Sequence, residues 1–276
     1  HTTFKIIEVL FMFPCTPLVV ALTEKIIPGE DQKVHHNELQ YITEISLKSP
    51  ATMIPQAKNE LKRMADMAQE NLDRSIKGFL NQSDEYLNKI YHREEDINNV
   101  SHAITDYLVK SNQLSLPLAD QKILGSMFYV VNDIERIGDH AENFADYTKT
   151  ELKHNTGLTG DAKEEIKKMY EAVSKLLKLS LESFMAQDGV NTQEDKLAEI
   201  AALEASIDKM ERRYQKHHIK RLAKGDCEPR AGLLFSDMLS ELERIADHSV
   251  NIAYSMSDED EDEMLAAENE ALATNN

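Results

Sequence analysis

Two stretches of this 276-residue chain carry the same acids at the same spacing. Residues 131–145 read VNDIERIGDHAENFA, and residues 239–253 read LSELERIADHSVNIA. Each holds Glu-x-x-x-Asp, formed by Glu135 and Asp139 in the first copy and by Glu243 and Asp247 in the second. Residues four apart are neighbours on one helix face, so each pair sets two like charges side by side. Such a pair repels unless something cationic sits between its members. Carboxylates without cysteine partners suit hard or borderline cations such as Mg²⁺, Mn²⁺, Ca²⁺ or iron. The competing account is a solvated acidic face balanced by Arg136 and nearby lysines. The duplication favours the cation, because Asp133, Glu135, Arg136, Asp139, His140 and Asn143 all have counterparts in the second copy.

A further polar pair sits upstream of each copy. Glu204 and Asp208 repeat the four-residue spacing, whereas their counterparts are Glu94 and Asn98. Asn98 offers a neutral oxygen, which lowers the ligand charge count of the first half. The sequence therefore predicts tighter metal binding in the second half. His140 and His248 do not complete a Glu-x-x-His di-iron motif, and their expected role is packing or hydrogen bonding. No Gly-rich phosphate loop, nucleophile elbow or His-Glu-x-x-His motif occurs, so the residues give no catalytic constellation.

Composition narrows the class. Lysine and arginine number 31 against 49 acids, a net charge of −18 that argues against a nucleic-acid backbone as main partner. Tryptophan is absent, Gly and Pro are sparse, and Leu, Ala, Glu, Lys and Met abound, as in helical proteins. Cys15 and Cys227 have neither ligand nor disulfide spacing.

The elements that must position the acids follow from periodicity and punctuation. A helix is expected from Pro55 to Leu80, with Leu61, Met64, Ala65, Ala68 and Leu72 along one face. Others are expected over about 85–110, from Pro117 to His154, over about 161–186 and 192–224, and from Pro229 onward. Leu61, Met64, Ser75 and Phe79 match Ile166, Met169, Ser180 and Phe184 in register, so the duplication extends beyond the motif. The expected fold is all-α, two tandem antiparallel three-helix bundles over residues 51–154 and 155–257. On the first motif helix, Ile134, Ile137, Ala141, Phe144 and Ala145 form the apolar stripe, while Glu135, Asp139, Glu142 and Asp146 share another face. In front lies an uncharged run, residues 9–23, flanked by Lys5, Glu8, Glu24 and Lys25. Extended over residues 1–28 it reads as a membrane-like helix followed by a linker over 29–50. Residues 258–276 open with six consecutive acids and read as a solvated tail.

The two motifs resemble those of the phosphate-uptake regulator (PhoU) family, over about residues 51–257. That resemblance implies two three-helix bundles with metal on their surfaces, held by Glu135, Asp139, Glu243 and Asp247 and, less directly, by Glu204, Asp208 and Glu94. The cations it implies are divalent or trivalent: iron, manganese, magnesium or zinc. The opening, His1-Thr2-Thr3-Phe4 leading through an apolar helix to Pro28-Gly29-Glu30, is similar to bacterial sodium–phosphate cotransporters. This second resemblance implies a regulatory domain on the cytoplasmic side of the inner membrane. Its partners would be an upstream transmembrane transport core and, through it, inorganic phosphate and Na⁺; a homo-oligomer is left open. The alternative is a stand-alone regulator of a phosphate-specific ABC transporter and its sensor kinase. An enzyme is the least supported class.

Overall fold

Amphipathic stretches separated by short polar turns leave little choice but antiparallel helices. The computed structural model describes residues 39–43, 50–154, 157–186 and 190–255. They form six helices: α1 (Pro50–Leu80), α2 (Leu87–Asn112), α3 (Leu118–His154), α4 (Gly160–Met185), α5 (Val190–Lys224) and α6 (Pro229–Tyr254). The first three pack on one another, as do the last three, giving two three-helix bundles. The bundles join through α3 against α6 and α1 against α4.

Each helix buries the stripe that its sequence marks out. Along α1, Leu61, Met64, Ala68, Leu72, Ile76 and Phe79 are buried, and the repeat partners Ile166, Met169 and Phe184 are buried on α4. Phe79, Phe144 and Phe235 are among the largest side chains wholly out of solvent. Burying one such ring is worth about 1.5–3 kcal/mol, so packing rather than helix propensity sets the architecture.

Local signals fix the ends. The Thr159 hydroxyl caps α4 by accepting from the Ala162 amide at 3.3 Å. Pro229 opens α6 at a position where its missing N–H costs nothing. Gly225, at φ +76°, turns the chain between α5 and α6. One boundary differs from expectation: α1 starts at Pro50 and runs through Pro55. This proline sits near the start of the helix, where its missing N–H forfeits a single backbone bond.

Polar contacts tie the layers. Lys58 Nζ on α1 donates to the Phe184 carbonyl at the end of α4, at 3.0 Å, and lies over the Phe184 ring. Glu60, fully buried, accepts the Gln40 and Tyr41 amides at 2.9 and 2.7 Å and so holds residues 39–43 on α1. Among the described residues no helix is long and apolar enough to cross a membrane. The membrane-like helix expected over 1–28, most of the linker and the acidic tail lie outside the described residues.

Candidate metal centres

Each repeated acid pair sits on the third helix of its bundle, with its apolar stripe inward. On α3, Ile134, Ile137, Ala141, Phe144 and Ala145 are all buried. That orientation leaves Glu135 and Asp139 part-exposed, with side-chain accessibilities of 28% and 37%. Arg136 is their present counter-charge, 3.5 Å from Asp139 and 3.9 Å from Glu135, and is itself largely exposed. An exposed pair of this kind contributes little, about 0–1 kcal/mol.

Glu94 on α2 differs from its neighbours. It is 3% exposed, and neither carboxylate oxygen has a hydrogen-bond partner. Its carboxylate rests against Gly138 of α3, where an added Cβ would lie 2.7 Å from Oε2. Burial, reinforced by the charges of Asp139, Glu142 and Glu135, pushes its carboxyl up to about 8. Glu135 is raised by burial and by Asp139, against opposition from Arg136, His102 and His248. Glu142 is raised by burial, Asp146 and Asp139. Four carboxyls from two helices thus form one acidic face with a buried, unpartnered member. Buried carboxylates normally find donors or a metal.

The second half repeats this layout with more exposure. Burial and Asp208, then Asp247, raise Glu204; burial, then Asp247, Glu211 and Asp208, raises Glu243; burial and Asp208 raise Asp247. Asp208 bonds Arg212 at 2.8 Å along α5. Ala246 stands at the position equivalent to Gly138. Ala246 carries a Cβ where Gly138 has none, and Glu204 is only part-buried. With 2.7 Å between a Cβ position at 138 and Glu94 Oε2, the glycine leaves room for the deep carboxylate.

The structure brings Glu94, Glu135 and Asp139 to one face, and Glu204, Asp208, Glu243 and Asp247 to another, as their mutual charge effects show. Among the described residues no three His, Cys, Asp or Glu side chains already stand close enough to enclose an ion. Closing a shell requires Glu135 and Asp139 to turn away from Arg136, and Asp208 from Arg212. Glu142, on the same face in sequence, belongs to the first cluster through its effect on Glu94. His140 and His248 bond across the bundle interface, to Glu241 and Asp133. Gly138 was not legible as part of a site, since its significance depends on what α2 places opposite it.

Comparison with known proteins agrees with the duplicated three-helix fold. The sequence matches the family model described as "PhoU domain" over residues 61–148 and 166–256. It is 20% identical over 196 residues to the phosphate-specific transport system accessory protein PhoU homolog 1 of Thermotoga maritima, spanning 71% of this chain and 82% of the relative. It is 23% identical over 199 residues to the corresponding PhoU homolog of Clostridium acetobutylicum, spanning 71% and 87%. Crystal structures of PhoU from Pseudomonas aeruginosa and of the regulatory protein PhoU from Streptococcus pneumoniae share the fold, with TM-scores of 0.65 and 0.66. Both are 19% identical; they cover 74% and 76% of this chain, which covers 95% and 96% of them. The two repeats, the two three-helix bundles and the match across both halves lead to one conclusion: the chain belongs to the PhoU domain family.

Proposed function

We propose that the chain is a metal-binding regulator of phosphate transport, acting through contact rather than catalysis. The observation that carries the metal reading is Glu94: buried, unpartnered, and set among Glu135, Asp139 and Glu142. Glu94, Glu135 and Asp139 would hold a cation in the first half, and Glu204, Asp208, Glu243 and Asp247 in the second. A bound cation supplies the charge that these acids lack and joins the second helix of a bundle to the third. An all-oxygen donor set fits Mg²⁺, Mn²⁺, Ca²⁺ or iron better than zinc. The buried Glu94 supports the first half as the stronger site, the reverse of the order that Asn98 suggests.

Family membership supports regulation rather than enzymatic activity, since the similar proteins are named as transport accessory and regulatory proteins. Those names favour the stand-alone regulator of a phosphate-specific transport system; an ABC transporter and its sensor kinase as its partners belong to this proposal. One observation favours the cotransporter reading, the uncharged run over residues 9–23. Deleting residues 1–28 distinguishes the two: if the intact chain is monodisperse without detergent, the membrane-anchored version fails.

The metal reading is tested by metal content and melting temperature of the intact chain, Glu135→Ala/Asp139→Ala and Glu243→Ala/Asp247→Ala. Each pair of substitutions should remove metal from its own half, with the larger loss of metal-induced stabilisation in the first. A cation at a hundredfold excess over its dissociation constant stabilises by about 2.7 kcal/mol. Equal metal content and unchanged melting in all three would leave a solvated acidic face balanced by arginines.

A further inference from the structure

Three repeated polar positions take no part in the proposed metal centres: Asp133 and Glu241, His140 and His248, Asn143 and Asn251. The fold pairs them across the α3–α6 contact. His140 Nδ1 bonds Glu241 Oε2, and Asn143 Nδ2 donates to the same oxygen at 3.1 Å. Reciprocally, His248 Nδ1 bonds Asp133 Oδ1 at 2.8 Å, and Asn251 Nδ2 donates to it at 3.3 Å. The two imidazole rings lie 5.5 Å apart between the pairs. Each half thus offers one buried carboxylate and receives a histidine and an asparagine from the other. Tyr147 adds a hydroxyl donor to Glu241 at 3.2 Å.

This latch is built from the same helical turns as the metal centres. His140 directly follows Asp139, and Asp133 lies two residues before Glu135; His248 follows Asp247, and Glu241 lies two before Glu243. An α-helix is stiff over one turn. Any rotation or slide of α3 that draws Glu135 and Asp139 toward Glu94 therefore carries Asp133 and His140 with it. Those two groups hold His248 and Glu241, which sit beside Asp247 and Glu243 on α6. Hydrogen bonds at 2.7–3.2 Å tolerate little displacement, whereas helix shifts at interfaces are about 1–2 Å. A shift of α3 must break the latch or be followed by α6.

We infer that the reciprocal histidine–carboxylate latch makes the two acidic centres interdependent, so that filling one with a divalent cation changes the affinity of the other. The inference rests on the metal reading of those centres. Coupling of this kind is reciprocal and typically amounts to about 5- to 150-fold in affinity. A latch that were only structural would lower the melting temperature on mutation and leave the centres independent.

The test uses the full chain and Mn²⁺ alone, followed by titration calorimetry. The first centre is disabled by Glu135→Gln/Asp139→Asn and the second by Glu243→Gln/Asp247→Asn. Each surviving centre should then bind Mn²⁺ with an affinity at least about fivefold different from the one it shows in the unmutated chain when its neighbour is full. The factor should be the same whichever half is disabled. In an Asp133→Asn/Glu241→Gln background both centres should still bind, and the factor should collapse to near one. Independent centres in the unmutated chain, or coupling that persists without the latch, overturn the inference alone. No Mn²⁺ binding by the unmutated chain overturns the metal reading and the inference together. If the latch variant loses its helical circular dichroism, Asn143→Ala/Asn251→Ala takes its place, and the coupling factor must fall; an unchanged factor overturns the inference.

Discussion

Replacing Glu94 with glutamine removes the ionisable group from the deepest point of the first centre and keeps the side chain's shape. In the folded protein the Glu94 carboxyl sits at about 8, against an ordinary value of 4.5. The raised value means that the native state holds this proton while the unfolded chain has lost it. Below pH 4.5 both states are protonated and Glu94 contributes nothing to the pH dependence. Between 4.5 and about 8 stability falls as pH rises, and above 8 the full penalty is present. At 1.36 kcal/mol per tenfold, that penalty is on the order of 5 kcal/mol in metal-free protein. For a chain of this size it corresponds to roughly 10–20 °C in melting temperature. The assay is thermal unfolding in a strong chelator from pH 5 to pH 9, for the unmutated chain and Glu94→Gln. The buried amide has its own unmet hydrogen bonds, so absolute melting temperatures are not compared. The fall from pH 5 to pH 9 is compared instead, and it should be smaller in Glu94→Gln by about that amount. Adding Mn²⁺ at pH 9 should recover the unmutated chain far more than the variant. Equal pH dependence in both proteins would refute the argument, because it would mean that Glu94 is not a strained carboxylate.

Two glycine substitutions test the close approaches. Gly138→Ala sets a Cβ against the end of the flexible Glu94 side chain, which can swing outward, while the helix gains about 1 kcal/mol in propensity. Metal-free melting at pH 9 should hold or rise and its pH dependence flatten; an unaltered pH slope would show that Glu94 does not depend on this glycine. Gly232→Ala drives a Cβ into the His218 imidazole, which is buried against Phe235. Overpacking there should destabilise by about 1–3 kcal/mol, seen as a lower melting temperature that His218→Ala partly restores; unchanged melting would count against the packing.

Much of this protein was legible in its residues because duplication is a pattern along the chain. The Glu-x-x-x-Asp motifs, the matched apolar stripes and the proline and glycine punctuation specify six helices in two repeats, with Glu135, Asp139, Glu243 and Asp247 on outward faces. Periodicity reports which side of a helix a residue occupies, and for these acids that was enough. It does not report what another helix places opposite. The depth of Glu94 goes with the missing Cβ of Gly138 on a different helix, where an added Cβ would lie 2.7 Å from Oε2. Counting charges alone ranked the half with Asn98 as the weaker, whereas burial makes its glutamate the most perturbed of the proposed ligands. The pairing of His140 with Glu241 and of His248 with Asp133 was equally hidden, because the partners lie more than a hundred residues apart. Sequence determined the repeated acids and their helices; only the packing of α2 on α3, and of α3 on α6, decided which acid is buried and which histidine holds which half. Burial and long-range hydrogen bonding are properties of two surfaces meeting, and a chain read one segment at a time shows only one of them.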